Sequence, residues 1–493
     1  MSLHVFLSPR MPSYAFAYRR RIALIGSLSA VVLCAFFIFY HPERVHIGSN
    51  YPSPAPATPT LPPTLNGVDD LGLPEAYLTT TSESQFCSDK FGTSYLENLR
   101  DAAIEYCTPT SPSSLVCFHT TITNDHRIDS FCFGENAVFD PTIQKFNLEC
   151  ELGELEKPGT SAPIPNFGRF AQYWYDTGPQ TILDGWVQLN SSPGERLPSA
   201  LNYTILIKRE GSHNLWHSLL EIFSMTMTLD VLQMTWRPDH ARPFWSGLDA
   251  DNTQVIILDD KDDGPYFQLW SMFANKPTLR LKDLPNDQTL QNIIVPLAGG
   301  SSPFWQGDWE VLPCEDSSLL RTFTRRVLDT YDLGDYKSLQ KDDIVITFIN
   351  RVESRRLVDQ EDYLNLVQST FPHVKVQSLD FAAIPFHTQL EIIRNTNILV
   401  GVHGAGLTHG MFLPPRSVMV EILPPSLAHK GFRNVASLLG HSYLSAHGSK
   451  PPSVKRGDWH GEDVYLTKEK FMDLTSAAIR IMYNSGPRNY DAV

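Results

Sequence analysis

Short apolar runs alternate with amphipathic stretches in the second half of the chain, from about residue 341 onward. The runs are rich in β-branched residues, and they predict strands at Ile344–Ile349, Val374–Leu379, Ile398–Val402 and Val418–Ile422. The stretches between them predict helices at about 359–370, 385–394 and 407–412. Repeated strand–helix–strand order with apolar strands predicts an α/β fold with a parallel sheet covered on both faces.

The first half of the chain has a less regular pattern. It predicts strands at Tyr203–Ile207 and Val255–Leu258, and helices at Asn214–Met234, Tyr266–Phe273 and Ser317–Asp329. A last helix, Lys468–Met482, is expected to pack back across the N-terminal half. Because 493 residues are too many for one hydrophobic core, two domains are expected, at 75–335 and 336–460, followed by the final helix and tail at 461–493.

The N-terminal region predicts a membrane anchor. Ile22–Tyr40 contains no charged residue and is long enough to cross a hydrocarbon core, and Arg19–Arg21 precede it. This predicts a cytosolic tail at 1–21, a signal anchor at 22–40 and a lumenal remainder. A cleaved signal peptide is the alternative, but the apolar stretch is long for one and no small-residue cleavage site follows it. The proline-rich segment that comes next predicts an extended stem within 41–74.

The net charge excludes one class of binding partner, and the cysteine content indicates an oxidising compartment. A net charge of −14 argues against nucleic acid as a partner, because phosphate backbones are bound by a surplus of Lys and Arg. Six of the seven cysteines follow the predicted anchor, and five of these lie between residues 87 and 150. An oxidised, disulfide-linked N-terminal region is therefore expected, with fifteen pairings open.

A glycine-rich turn follows the predicted strand Ile398–Val402. Gly404 and Gly406 permit close approach of a ligand to the backbone, and amides at the start of the next helix can bind a phosphate. His403 is positioned to donate to a phosphate or a sugar, and Glu421, near the end of the next strand, to accept from ribose hydroxyls. Dehydrogenases carry such a turn after the first strand of their domain, and esterases also need a Gly-x-Ser-x-Gly elbow, which this chain lacks.

A basic cluster follows the first strand of the same domain. Arg351, Arg355 and Arg356 come directly after Ile344–Ile349, where a diphosphate binds in an open α/β sheet. Such cations stabilise a departing diphosphate without a metal. The alternative is a solvated loop in which the arginines pair with neighbouring carboxylates.

The predicted helix from Asn214 begins with a second chemical cluster. His213, His217 and Glu221 recur every four residues and therefore share one face. His217 and Glu221 together can act as general base on a hydroxyl, whereas capping and packing is the alternative. Asp260-Lys-Asp262 has the form of an Asp-x-Asp metal clamp, although acidic turns of this kind are common in loops.

These motifs together resemble those of glycosyltransferase family 61. The resemblance rests on Val402-His-Gly-Ala-Gly-Leu-Thr-His, on Phe412-Leu-Pro-Pro and on Val420-Glu-Ile, supported by the His217 helix and Asn350-Arg351. The family includes protein O-GlcNAc transferases and plant β-1,2-xylosyltransferases, and the proline-rich stem is similar to that of fungal members.

The resemblance implies two Rossmann-like domains facing a cleft, termed GT-B, inversion at the anomeric carbon, a UDP-sugar donor and no obligatory metal. It places Arg351, His403, Gly404, Gly406 and Glu421 at the donor site, which Arg355 joins only by its position after the strand, and it places His217 with Glu221 at the acceptor side. The expected protein is a single-pass type II enzyme of the Golgi or endoplasmic reticulum that acts on a protein or glycan. The alternatives are an Asp-x-Asp, metal-dependent transferase and a non-catalytic membrane-tethered lectin or assembly factor.

Overall fold

A computed structural model describes residues 71–77, 84–120, 128–153, 166–192, 194–238, 242–286, 289–334, 343–450 and 460–484. The predicted tail, the predicted anchor Ile22–Tyr40 and most of the predicted stem lie outside these ranges. Within them, no helix is long and apolar enough to span a bilayer. The expected domain boundary at 335/336 also lies outside the described residues and stays a prediction.

The apolar runs form strands that pair into two sheets. The first sheet is mixed, with the order β1-β2-β3-β9-β6-β7-β8 and with β4 and β5 attached through β3. Strands β6, β7, β8 and β9 are parallel to their partners in this group, whereas β1, β2 and β3 extend the sheet in antiparallel fashion. Its strands are β1 Ala103–Glu105, β2 Ser114–His119, β3 Ser130–Asp140, β4 Lys145–Glu149, β5 Val187–Asn190, β6 Asn202–Ile207, β7 Thr253–Ile257, β8 Leu279–Arg280 and β9 Gln291–Val295.

The second sheet is wholly parallel, and its strand order is β11-β10-β12-β13-β14. Three of its strands have the predicted bounds. Ile344–Ile349 and Ile398–Val402 are short, almost uninterrupted apolar runs, whereas Val374–Leu379, at the edge of the sheet, mixes apolar and polar residues. The α/β prediction is thus confirmed. The strands are β10 Ile344–Ile349, β11 Val374–Leu379, β12 Ile398–Val402, β13 Val418–Leu423 and β14 Ser442–His447.

Helices cover both sheets. They are α1 Gln85–Phe91, α2 Ser94–Asp101, α3 Pro179–Trp186, α4 Leu215–Gln233, α5 Pro303–Gln306, α6 Ser318–Thr330, α7 Gln360–Thr370, α8 Phe386–Arg394, α9 Gly431–Leu438 and α10 Lys468–Tyr483. Two predicted helices, at Tyr266–Phe273 and at 407–412, are instead 3₁₀ helices, at Phe267–Ser271 and Ala405–Phe412.

Helix α4 is buried along nearly its whole length, which is the position expected for a helix that is apolar on all sides. Its residues share one apolar core with Ile349, Leu407 and Phe432 of the second half of the chain. The amino end of α4 is capped by the Asn214 side chain, which accepts from the amide of His217. Burial of the helix body therefore holds its first turn in a defined position.

The final helix lies elsewhere than predicted. Helix α10 packs on β13, β14 and α7, and Phe471 and Ile479 belong to the core of the second sheet. It therefore covers the sheet that precedes it in sequence and does not cross the N-terminal half. An amphipathic pattern shows that a helix has one buried face, but it does not show which sheet that face meets.

The expected disulfides are present, and their pairing is now defined. Cys117–Cys132 joins directly paired residues of β2 and β3, and Cys107–Cys150 closes the start of the same region. Cys87–Cys314 links α1 to the segment before α6, across 227 residues of sequence. The Cys87–Cys314 disulfide thus links the cysteine-rich stretch 87–150 covalently to the segment before α6.

Candidate active site

The carboxyl edge of the second sheet forms the floor of a cleft. Strands β11 and β12 lie on opposite sides of β10, and ligands of open parallel sheets bind at the carboxyl edge of such a position. Two cavities open there, a first cavity of about 380 Å³ and a second cavity of about 520 Å³. Ala405 in the glycine-rich turn lines both. The turn therefore separates two binding spaces that share a boundary.

The first cavity collects the loops after three strands. It is lined by residues 349–354 after β10, by residues 380–382 after β11, and by Ala405 and Gly406 after β12. Asp380, whose Oδ1 accepts from the amide of Ala382 at 3.0 Å, supplies a carboxylate directly after β11. A carboxylate in this position suits ribose hydroxyls. The sequence analysis did not select Asp380, although its position directly after a predicted strand was a usable signal.

Arg351 and Arg355 bring positive charge to the glycine-rich turn. Arg351 Nε donates to the carbonyl of Ser354 at 2.8 Å, and no carboxylate of the described residues forms an ion pair with Arg351. Burial lowers the pKa of Arg351; burial and the charge of Arg351 lower the pKa of Arg355 to about 10. Two partly desolvated cations in an acidic protein predict an anionic ligand. Arg356, by contrast, is exposed and pairs with Asp463 at 2.6 Å.

Gly404 and Gly406 provide space for neighbouring side chains. A Cβ on Gly404 would lie 2.5 Å from Arg351 Nη1 and 3.3 Å from Arg355 Nη2. A Cβ on Gly406 would lie 2.9 Å from Ile349 Cγ2, at the end of β10. Gly404 therefore lets both guanidinium groups reach the turn, and Gly406 lets the turn pack on the sheet. The 3₁₀ helix Ala405–Phe412 starts directly after Gly404, and the phosphate site expected at its amides stays a prediction.

Glu421 orients His403, which differs from its predicted contact with ribose. His403 Nδ1 donates to Glu421 Oε1 at 2.6 Å, and the Tyr443 hydroxyl donates to Oε2 at 2.5 Å. The Glu421 side chain is only 1% exposed, so it has no surface left for a ligand. Burial lowers the pKa of His403 despite this carboxylate. His403 itself lines the second cavity, beside the glycine-rich turn.

The second cavity lies on the other side of that turn and is rich in aromatic and histidine side chains. His217 from the first turn of α4 lines it, as do His403 and His429. His429 Nε2 lies 3.2 Å from Asp308 Oδ2. The sequence analysis did not pair His429 with Asp308, because they are 121 residues apart and no local motif connects them.

His217 is held by a carboxylate that the sequence analysis missed. Its Nδ1 lies 3.1 Å from Oε2 of Glu210, whose side chain is 1% exposed. An ionised carboxylate only accepts hydrogen bonds, so Nδ1 is the donor and Nε2 keeps its lone pair for a hydroxyl in the cavity. This is the arrangement of a general base with an orienting carboxylate. Glu210 follows strand β6 by three residues, which was the available signal.

Glu221, predicted to assist His217, lies behind Glu210 and lines neither large cavity. Its Oε1 accepts from the backbone amide of Glu210 at 2.7 Å. Burial and the neighbouring Glu210 raise the pKa of Glu221 well above its ordinary value. Glu221 therefore positions the backbone of Glu210. The sequence analysis had instead expected Glu221 to act directly with His217. The four-residue spacing predicted the correct face of α4 for Glu221, but Glu221 is one helical turn farther along α4 than His217 and is buried there.

The acidic loop after β7 is organised by an arginine. The guanidinium of Arg209 binds the Asp259 carboxylate, with Nη2 2.8 Å from Oδ1, and donates to the carbonyls of Lys261, Asp262 and Asp263. Asp262 accepts from Ser212 at 2.6 Å and lies 2.5 Å from His213 Nε2. These contacts use Asp262, one of the two carboxylates of the predicted clamp. Over the described ranges, no group of three or more His, Cys, Asp and Glu side chains is arranged to hold a metal ion.

Comparisons with known proteins find chains similar to this one among named N-acetylglucosaminyltransferases. The chain is similar to the EGF domain-specific O-linked N-acetylglucosamine transferases of Drosophila melanogaster, at 26% identity over 66% of this chain, and of Mus musculus, at 23% over 61%. It is also similar to the protein O-linked-mannose β-1,4-N-acetylglucosaminyltransferase 2 of Tetraodon nigroviridis, at 23% over 64%. The matches cover 62%, 56% and 56% of these relatives, so the chain spans less than two thirds of each.

Residues 215–420 match the model of the family described as Glycosyltransferase 61. This range begins at the first residue of α4 and ends within β13, so it includes His217, Arg351 and the glycine-rich turn. This match and these relatives support membership of the chain in glycosyltransferase family 61.

Proposed function

We propose that this protein transfers a sugar from a UDP-sugar to an acceptor hydroxyl with inversion of the anomeric carbon. The observation that carries the proposal is the pair of cavities that meet at Ala405. The first is lined by Arg351 at a sheet edge, and the second is lined by Arg355 and by His217, which a buried carboxylate orients. N-acetylglucosamine is the proposed sugar, because the relatives are named for its transfer.

The first cavity is the proposed donor site. The strand order of the second sheet is that of doubly wound nucleotide-binding sheets, and the cavity lies where such sheets bind nucleotides. Asp380 and Arg351 line this cavity and are placed to bind the ribose and the diphosphate, and Arg355 reaches the diphosphate from the second cavity, beside Gly404. Two sheets that contribute to one cleft support a GT-B organisation, with the first sheet on the acceptor side.

The proposed chemistry is a direct displacement. His217 Nε2 takes the proton of the acceptor hydroxyl as the oxygen attacks the anomeric carbon, and Glu210 stabilises the imidazolium that forms. The bond from the anomeric carbon to the diphosphate oxygen breaks, and UDP leaves with both electrons. Arg351 and Arg355 stabilise the negative charge that develops on it. One displacement inverts the configuration.

We also propose that the enzyme works in the lumen of the Golgi or the endoplasmic reticulum, anchored by Ile22–Tyr40. Three disulfides among the described residues support an oxidising compartment. Labelling of Cys-modified tails in sealed microsomes tests the topology. Protection of the C-terminal tail and accessibility of the N-terminal tail is the expected result, and the opposite orientation would exclude this location for the catalytic region.

The donor site is tested with the purified full chain and UDP-GlcNAc. Turnover or slow donor hydrolysis should release UDP, and Arg351→Ala should reduce the rate by about 100-fold, because it removes a cation from the leaving group. Arg356→Ala is the matched control, since Arg356 follows the same strand but is exposed and paired with Asp463. Equal rates for both variants would exclude the proposed role of Arg351.

Two further measurements separate the remaining alternatives. A metal-dependent transferase would lose its activity in EDTA, whereas the proposed mechanism keeps it. UDP should raise the melting temperature of the full chain, because a ligand that binds only the folded state stabilises it. No shift with UDP and no UDP release would favour a non-catalytic binding protein.

A further inference from the structure

Three aromatic side chains that line the second cavity are exposed to solvent. Trp174 is 69% exposed, Tyr175 is 57% exposed and Trp309 is 57% exposed, and all three line this cavity. They include both exposed tryptophans among the described residues. Large aromatic side chains are normally covered, and a group of them exposed around one cavity marks a binding surface.

The loop that carries two of these rings is held in a strained conformation. Tyr175 and Asp176 have φ angles of 63° and 50°, the left-handed region that side-chain-bearing residues rarely adopt. Lys208 Nζ donates to the carbonyls of both residues, at 3.2 Å and 2.6 Å, and so holds the loop in this form. Backbone strain that neighbouring groups maintain is concentrated at functional sites. The loop therefore presents its rings for a purpose other than packing.

The rings surround the proposed base. The ring centroid of Trp305 lies 4.4 Å from that of His217, and the centroid of Tyr175 lies 5.5 Å from it. The ring centroids of Trp174 and Trp305 are 6.3 Å apart, so the exposed Trp174 ring and the buried Trp305 ring form one continuous aromatic side of the cavity. An acceptor that brings a hydroxyl to His217 must therefore lie against aromatic faces.

The opposite side of the cavity supplies polar groups beside a ring. Trp309 lies 5.3 Å from His429, and His429 lies 3.2 Å from Asp308. A pyranose has one face of C–H bonds that packs on an aromatic ring and an edge of hydroxyls that bonds to carboxylate and imidazole. A cavity of about 520 Å³ is within the range of about 300–1,000 Å³ for small-molecule sites.

We propose that the acceptor is a carbohydrate, whose terminal pyranose stacks on Trp174, Tyr175 and Trp309 and presents a hydroxyl to His217. This inference rests on the proposed function, since it names the acceptor class of the same site. It assigns the second cavity to a sugar and excludes an unmodified serine or threonine of a polypeptide as the acceptor. Asp308 and His429 bind hydroxyls of the same ring.

Saturation-transfer NMR on the full chain tests the proposal without any donor. The probes are methyl α-D-mannopyranoside, methyl β-D-glucopyranoside and N,N′-diacetylchitobiose, with an unglycosylated Ser/Thr peptide for comparison. Saturation should reach the C–H protons of one ring face of at least one saccharide. Trp174→Ala and Trp309→Ala should each raise its Kd by about tenfold, and Trp309→Phe by less, because a phenyl ring keeps part of the stacking face.

Phe86→Ala is the matched control, because Phe86 is also an exposed aromatic residue, 46% exposed, but lies on α1 and does not line the cavity. It should leave the saccharide Kd at the wild-type value. The proposal is overturned if none of the three saccharides binds, if the peptide alone binds, or if both tryptophan variants keep the wild-type Kd. The affinity of the wild-type chain for UDP is titrated separately and reports on the donor site. Absence of UDP binding would count against the proposed function and not against this inference.

Discussion

Replacing Glu210 by glutamine tests the assignment of the base most directly. The substitution keeps the size of the side chain and removes its negative charge. Glu210 Oε2 lies 3.1 Å from His217 Nδ1, and the two side chains are 1% and 20% exposed. Either orientation of the amide removes the charge that stabilises the imidazolium formed during transfer, and one orientation also favours the tautomer without a lone pair on Nε2.

The size of the effect follows from this distance and burial. Two unit charges whose centres are about 4 Å apart interact by about 4 kcal/mol at an effective dielectric constant of 20. The full interaction appears only as the proton reaches His217, so it lowers the barrier and not the energy of the bound ground state. Glu210→Gln should therefore reduce kcat by roughly 10³-fold, while KM for the UDP-sugar changes little.

The assay is UDP release at saturating donor and acceptor, compared with Glu221→Gln as the matched control. Glu221 has its pKa raised by burial and by Glu210, so it is the carboxyl that an uncharged amide imitates best. We expect Glu221→Gln to keep most of the wild-type turnover. The reasoning is refuted if Glu210→Gln turns over within a factor of about three of wild type, or if the larger loss belongs to Glu221→Gln.

Three further predictions concern the donor turn, the disulfides and pH. Gly404→Ala places a methyl 2.5 Å from Arg351 Nη1, so the guanidinium must move by about 1 Å and turnover should fall by about 100-fold. Removing Cys87–Cys314 by serine substitution opens a loop of 227 residues and should lower the free energy of unfolding by up to about 5 kcal/mol in urea titrations. Burial and two nearby arginines lower the pKa of His441 to about 4. The unfolded chain therefore takes up this proton first, and His441 alone should lower the free energy of unfolding by about 1.4 kcal/mol per pH unit from about pH 6.5 to about pH 4, a contribution that His441→Gln removes.

Each of these has its own control. Gly185→Ala, at a helical glycine with open space around its Cβ position, should leave turnover unchanged, and a loss equal to that of Gly404→Ala would show a general effect of alanine. Removing Cys117–Cys132, which closes a loop of 15 residues, should cost about 3 kcal/mol, and a larger loss there would contradict the loop-length argument. The melting temperature of wild type and His441→Gln from pH 7 to pH 4 measures the pH effect; parallel curves would exclude His441.

The second sheet could be predicted from the sequence, because its strands can be recognised from the residues within them. Strands β10 and β12 are short apolar runs, and a strand buried on both faces needs such a run whatever it pairs with. The glycine-rich turn and the arginine loop follow those strands directly, so their position at the carboxyl edge was predictable as well. The antiparallel part of the first sheet was not, because β1 to β5 are short and lie among cysteines and polar residues whose pattern does not distinguish a strand from a loop.

The sequence by itself placed Arg351 and His403 directly after strands and His217 in the first turn of a helix. Only the tertiary structure decided which carboxylate serves which histidine. Glu421 turned out to support His403, and Glu210 replaced Glu221 beside His217. Asp308 reached His429 across 121 residues. The reason is physical: periodicity records whether a side chain is buried, whereas its partner depends on strand order and on how separate loops pack.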